Sequence, residues 1–242
     1  MMSETSRGCV TLPLTVTRRC GKAIVEEAKQ FVPEFEAHPN NPEGGIEDAE
    51  YKKYAASCQD GDFLLCRVNA PLISQCLKFI AAGRKANIQG RDVSKDLIRT
   101  LDYLWPHFGN VSQFIGKLSE WLDHELAKER AKRVPNEIRM QSLHDRHDCL
   151  TAFCGDSTSG TTKEEVIGRI EAVFTDDRSI EGIRLSSIHK AKGLEARRVY
   201  LLQPQGAAVP HPAAKTAWQQ KQERNLLYVA ITRAIETLVY VF

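Results

Sequence analysis

The side chains best suited to chemistry lie in three short polar runs. In Ser187-Ile188-His189-Lys190-Ala191-Lys192-Gly193-Leu194-Glu195, an apolar segment leads into an imidazole, two ammonium groups, a glycine and a carboxylate. Lys192-Gly193 suits an anion, because glycine lets backbone N–H groups approach a phosphate closely. Glu195 can accept hydrogen bonds from a sugar hydroxyl. The ordinary alternative is a solvated turn between two strands. In the second run, Gln222 to Ala234, Arg224 and Arg233 lie on a helix with an apolar face. An arginine beside Thr232 and small residues can stabilise charge on a transferred phosphoryl group; by itself it is equally a surface arginine. The third run is Thr17-Arg18-Arg19-Cys20, between a strand and a helix. Two adjacent guanidinium groups at a helix start can hold phosphate.

A further cluster, His144, His147, Cys149 and Cys154, contains four potential metal ligands. Its spacing is not that of a zinc site. On a helix Cys149 falls on a different face from the other three, and Leu143, Leu150 and Phe153 point to ordinary packing. No metal is expected.

The elements that must position these groups follow from periodicity. Strands are expected at 11–17, 63–68, 86–90, 183–189, 197–203 and 237–242. FLLCRV (63–68) is a continuous apolar run of the kind buried on both faces of a sheet. Helices are expected at 20–31, from Asn69-Ala70-Pro71 to Gly83, and from Trp218 to Ala234. Pro71 fits a first helical turn, and Leu72, Ile73, Cys76, Leu77 and Ile80 make the inward face. Strand, helix and strand over 61–90 form the unit of a parallel sheet with a right-handed crossover. PEFEAHPNNPEGG (33–45) reads as a loop, and the polar stretch 46–61 as another loop or a short helix. From Val93 to about Phe174 the pattern is helical throughout. Leu97, Ile98, Leu101 and Leu104 form one stripe, and Val111, Phe114, Ile115, Leu118, Trp121, Leu122 and Leu126 a second. Pro135 interrupts, GDSTSG (155–160) is a loop, and Thr161 or Thr162 caps a last helix.

The composition bounds the rest. The chain has 242 residues, 33 Lys plus Arg against 31 Asp plus Glu, and 42% apolar residues. That excludes disordered and low-complexity classes. No apolar run is long enough to span a bilayer, and MMSETSRGCV has no secretory apolar core. A net charge of +2 requires any basic surface to be local. Seven irregularly spaced cysteines argue for a reducing, cytoplasmic setting rather than a disulfide framework.

Taken together the runs carry a resemblance. SSIHKAKGLEARRVYLL resembles motif V of the UvrD/Rep family of superfamily 1 DNA helicases, and QERNLLYVAITRAIETL resembles motif VI. LTVTRRCGKAIVEEA is similar to motif IV, and GDFLLCRVNAPLI to the motif that follows it. The four occur in the family's order. The resemblance implies an α/β fold, a RecA-like (P-loop NTPase-like) three-layer domain with a parallel sheet, interrupted by an all-helical insertion. The second motor domain, 2A, would comprise residues 1–90 and 177–242, and a short 2B-like insert residues 91–176. It also implies that Arg19 and Arg233 reach ATP phosphates, that Gly193 lies near the γ-phosphate, and that Glu195 holds the ribose. Arg67, Asn69, Ser187 and His189 would contact single-stranded DNA, and Lys192 would help couple the two sites. Arg18 stands where many members have a Tyr that stacks on adenine, Ser187 replaces the usual Thr, and Ala196 follows Glu195 where an aromatic is common.

One expected pattern is absent. A Walker A loop needs G-x-x-x-x-G-K-[ST]. Gly21-Lys22 and Gly116-Lys117 are followed by Ala and Leu, and the first glycine is a valine in both. No apolar strand ends in an Asp-Glu pair to hold Mg²⁺. The expectation is therefore the C-terminal motor half of an ATP-dependent DNA helicase of replication, repair or plasmid and phage maintenance. Its ATP would be shared with a separate N-terminal helicase domain carrying Walker A and B and Mg²⁺. Alone the chain should not hydrolyse ATP. The alternative is a non-catalytic DNA-binding or partner-docking module, from a truncated or split gene.

Overall fold

A computed structural model describes residues 15–106, 110–155, 157, 160–175, 181–206, 208–212 and 214–242. The first part of the expected 11–17 strand, Cys9, most of the inner residues of 155–160 and Asp176-Asp177 lie outside the described residues. In chain order the elements are β1 (Val16–Thr17), α1 (Lys22–Ala28), β2 (Glu36–Ala37), β3 (Gly45–Ala49), β4 (Phe63–Cys66), α2 (Ala70–Ala81), β5 (Ala86–Ile88), α3 (Arg91–Leu104), α4 (Val111–Arg130), α5 (Glu137–Cys154), α6 (Lys163–Val173), β6 (Ile183–Ser187), β7 (Ala196–Leu202), α7 (Ala217–Ile231) and β8 (Ala234–Val241).

Six strands form one sheet in the order β3-β8-β7-β4-β6-β5, and all its pairings are parallel. β4 lies between β7 and β6, and its four residues Phe63, Leu64, Leu65 and Cys66 are all buried. That is why an unbroken apolar run is needed there. Its alternate side chains enter two separate cores. Leu64 and Cys66 join the side covered by α2 and the helices α3 to α6; Phe63 and Leu65 join the side covered by α1 and α7. The result is the expected α/β three-layer arrangement with a parallel sheet.

All the described residues from 91 to 173 within elements are helical. Leu97, Leu101, Val111, Phe114, Leu118, Leu150, Phe153, Val166 and Ile170 share one core with Leu64, Leu185 and Tyr200 of the sheet. These helices therefore cover one face of the sheet. Their starts match the caps in the sequence. The Asn110 side chain accepts from Gln113 N–H, and Thr162, rather than Thr161, caps α6 with Glu165 closing a capping box.

Several elements differ from expectation. Gly45–Ala49, read as a loop or short helix, is an edge strand paired with β8. Its three central residues are exposed, so no apolar face marks it. α1 covers only part of 20–31; Gly21, just before it, packs against Gly44, where a Cβ would lie 2.8 Å from Gly44 Cα. In α2 the inward stripe is Leu72, Ile73, Cys76 and Phe79, with Ile80 exposed. α7 ends at Ile231 and β8 begins at Ala234, three residues before the expected start. β6 stops at Ser187, two residues early.

Gly182 enters β6 with φ +125° against the start of β5, where an added Cβ would sit 2.5 Å from the Lys85 carbonyl oxygen. Both the backbone conformation and the space exclude a side chain. Gly182→Ala should lower the unfolding free energy by about 2 kcal/mol, seen as a lower urea midpoint at unchanged slope. An unshifted midpoint would show that this contact yields freely.

Candidate functional site

Because the strands are parallel, their C-terminal ends share one edge of the sheet and their N-terminal ends the other. The expected site residues divide between these edges. Arg19, Glu195 and Arg233 gather at the N-terminal edge: Glu195 immediately precedes β7, and Arg233 precedes β8. Ala196 N–H donates to the Arg233 carbonyl, which joins the two strand starts. Arg19 Nε lies 2.6 Å from Glu195 Oε2, with both side chains 43% exposed. Arg233 is held by its own helix end, donating to Val229 O and Thr232 Oγ1, and by the segment before β7, donating to Leu194 O. Burial, and next the Arg19 charge, push the Arg233 guanidinium below its ordinary value. Cys20 Sγ contacts the Thr232 carbonyl, tying the Arg18-Arg19 turn to this edge. Gly193 has φ +84°, a conformation that favours glycine, with open space where a Cβ would be. Arg18 is exposed.

Arg67, Asn69, Ser187 and His189 gather at the opposite edge, after β4 and β6. Here the structure adds partners that spacing alone did not supply. Arg67 Nε donates to both carboxylate oxygens of Glu223 on α7, at 2.9 and 3.0 Å, and Nη2 to Glu223 Oε1 at 2.8 Å. The two side chains are only 12% and 7% exposed. Burial pushes the Glu223 carboxyl up, but hydrogen bonds from Arg67 and His211 N–H, with the Arg67 charge, outweigh it and hold it low. Asn69 N and Nδ2 donate to Asp145 of α5 at 2.9 and 2.8 Å, and Ala70 N to the same carboxylate at 3.0 Å. Asp145 thus satisfies N–H groups at the start of α2. Ser187 is buried, and its carbonyl accepts from Lys190 and Ala191 N–H. His189 and Lys192 are exposed.

Glu223, Asp145 and His211 were not singled out from the sequence. Glu223 left a signal: with Leu227 and Ala230 it falls at i, i+4, i+7, so a carboxylate sits on the inward stripe of a helix and needs a cationic partner. Asp145 and His211 left none, since their partners are remote in sequence. Arg224, the other arginine of the second run, stands apart from both groups. It stacks over Phe31 at 5.7 Å and donates to the Gln30 carbonyl. Cys149 and Cys154 are buried in the core, and among the described residues no group of three His, Cys, Asp or Glu could hold a metal ion.

The fold and site define a parallel α/β domain carrying arginines on one sheet edge and a paired Arg–Glu and Asn–Asp set on the other. Residues 106–242, more than half of the chain, match the family described as UvrD-like helicase C-terminal domain, and the chain belongs to that family. Among related proteins, "Putative ATP-dependent DNA helicase YjcD" of Bacillus subtilis (strain 168) is 41% identical over 63 residues. That alignment covers 24% of this chain and only 8% of the relative. A solved structure described as the C-terminal domain of a possible DNA helicase from Lactobacillus plantarum aligns over 93% of this chain and 86% of its own, at 12% identity and a TM-score of 0.37. A likeness that loose carries no weight beside the family match. Ser187 to Arg233 lie within the matched segment; Arg19, Arg67 and Asn69 precede it. Among the described residues, no helix is long and apolar enough to cross a membrane.

Two predictions follow from the C-terminal edge. Arg67→Ala leaves the Glu223 carboxylate buried and unpaired, and should cost about 3–5 kcal/mol of stability in urea unfolding; Glu223→Gln/Arg67→Met together should recover much of it. His189 and His211 flank this pair, and both are held below the ordinary imidazole value of 6.5, by desolvation from the protein atoms around the ring first and the Arg67 charge second, against Glu223. A histidine depressed in the folded state binds protons more readily when unfolded. Its contribution is therefore intact above 6.5 and erodes as pH falls through that value. The melting temperature should fall from pH 7 to pH 5, and fall less in a His189→Gln/His211→Gln variant; an identical slope in both proteins would remove these two residues from the account.

Proposed function

We propose that this chain is the second motor domain of a UvrD-like ATP-dependent DNA helicase. Residues 91–176 stand in the place of the family's 2B subdomain. Arg19 and Arg233 present positive charge to ATP phosphates across a cleft closed by a first domain carrying Walker A, Walker B and Mg²⁺. Arg67, Asn69, Ser187 and His189 line the path of single-stranded DNA, with Lys192 between the two sites.

The gathering of Arg19, Glu195 and Arg233 on one edge, far along the sheet from Arg67 and His189 on the other, carries this assignment. The donor set fits a nucleotide: two guanidinium groups for phosphates and one carboxylate for hydroxyl groups. An exposed pair such as Arg19–Glu195 is worth only about 0–1 kcal/mol, so a bound nucleotide can separate it at little cost. Arg233 is different, because two hydrogen bonds to its own helix end and a third to the Leu194 carbonyl preset its position. Bound ATP supplies the phosphoryl group to be transferred; the arginines orient and neutralise it as charge develops.

The pure chain is expected to bind oligo(dT) with an affinity that falls log-linearly with salt, because phosphate contacts release counterions. It is expected to show no DNA-stimulated ATP hydrolysis. Salt-independent binding would refute the DNA path. Hydrolysis abolished by Arg233→Ala would refute the division of the ATP site between two domains.

A further inference from the structure

Trp218 is a large exposed side chain that none of the assigned groups accounts for. It is the second residue of α7, whose start is held by a reciprocal capping box between Thr216 and Gln219. The turn is therefore well fixed, yet it holds the indole 59% exposed. The other two tryptophans pack against the core beneath the helices, Trp105 stacking on Phe114 at 5.2 Å. An indole left in water forgoes the burial that the other two obtain.

The neighbourhood of Trp218 is specific. It lines a cleft of about 200 Å³ together with Arg67, Gln141, His189, Glu223 and Ile138, the last 56% exposed on α5. That is less than the ~300 Å³ at which small-molecule pockets begin, but it has room for about seven waters at ~30 Å³ each, the scale of one flat ring system. Arg67 is neutralised by Glu223, so the cleft is not a bare anion site. Gln141 is oriented by accepting from Arg67 Nη2 at 3.3 Å, and its amide nitrogen is buried without a hydrogen-bond partner among the described residues. An aromatic face and an apolar side chain beside the Gln141 amide and the His189 imidazole suit a flat heterocycle with hydrogen-bonding groups at its edge, attached to a phosphate backbone.

We propose that Trp218 is a base-stacking residue, taking one base of the single strand into this cleft while the His189–Lys192 turn lies along its backbone. The assignment deepens, and rests on, the DNA path proposed above. Stacking on an aromatic side chain is sequence-tolerant, which is what a motor moving along arbitrary DNA requires.

The test compares an oligo(dT) strand with an abasic strand of equal length at one low salt concentration. Trp218→Ala should weaken oligo(dT) binding roughly 5- to 150-fold and leave abasic binding within about twofold, while Trp218→Phe retains most of the oligo(dT) affinity. Tryptophan emission of the wild-type chain should be quenched by oligo(dT), and the remaining emission of Trp218→Phe should not. Trp218 is exposed, so melting temperatures of both variants should match the wild type. Equal losses on the two strands, no loss on either, or quenching that persists in Trp218→Phe would each overturn the stacking role. If the wild type binds neither strand, the DNA path itself falls, and this assignment with it.

Discussion

β6 and β7 are parallel, and β4 lies between them. The chain must therefore travel from the C-terminal edge of the sheet back to its N-terminal edge while passing over one strand, and it has only residues 188–195 for the journey. A five-residue strand is about 16 Å long and two strand spacings add about 10 Å sideways, so the diagonal is roughly 19 Å. Eight helical residues would reach about 12 Å and fall short; eight extended residues reach up to ~28 Å. The segment therefore crosses as a series of turns. Ile188, Ala191 and Leu194 are buried against the sheet face, which pins the crossing down. The residues between them, His189, Lys190, Lys192 and Gly193, and Glu195 after them, are left on the outer side and exposed. One short segment thereby delivers an imidazole to one edge and a carboxylate to the other.

The crossing segment is fixed by its burial rather than by its length, since Ile188, Ala191 and Leu194 are held against the sheet. Lys190 pairs with Asp92 at the start of α3, so the helices above the opposite sheet face are also tied to it. Arg67–Glu223 links the end of β4 to α7, and α7 ends at the Arg233 cluster. The two edges are thus joined by two routes, one through residues 188–195 and one through α7. Buried pairs of this kind are weak evidence for stability, yet breaking one leaves a charge stranded.

Much of the architecture was legible in the chain because local chemistry and tertiary packing agree there. The apolar run at 63–66, Pro71 in the first turn of α2, and the stripe of Val111, Phe114, Leu118, Leu122 and Leu126 announce elements that the structure contains. β3 was hidden because an edge strand with exposed central residues has no burial pattern; its register with β8 is made by backbone hydrogen bonds, to which sequence periodicity is blind. The junction of α7 and β8 was misplaced because Ala234 and Ile235 continue the helical i, i+4 spacing of Ala230 and Ile231, and only pairing with β7 decides where the strand begins.

The sequence by itself determined which residue types were available for chemistry, their order along the chain, and an α/β body with helices between its strands. These follow from composition, spacing and periodicity, all of which are local. The tertiary structure alone decided that the residues divide between two edges, that Arg67 faces Glu223 across 156 positions of sequence, and that Asn69 is held by Asp145. It alone left Trp218 open to solvent beside them. The physical reason is that charge pairing, burial and the length of a crossing depend on distances in space, and those exist only once the parallel sheet has brought remote strand ends together.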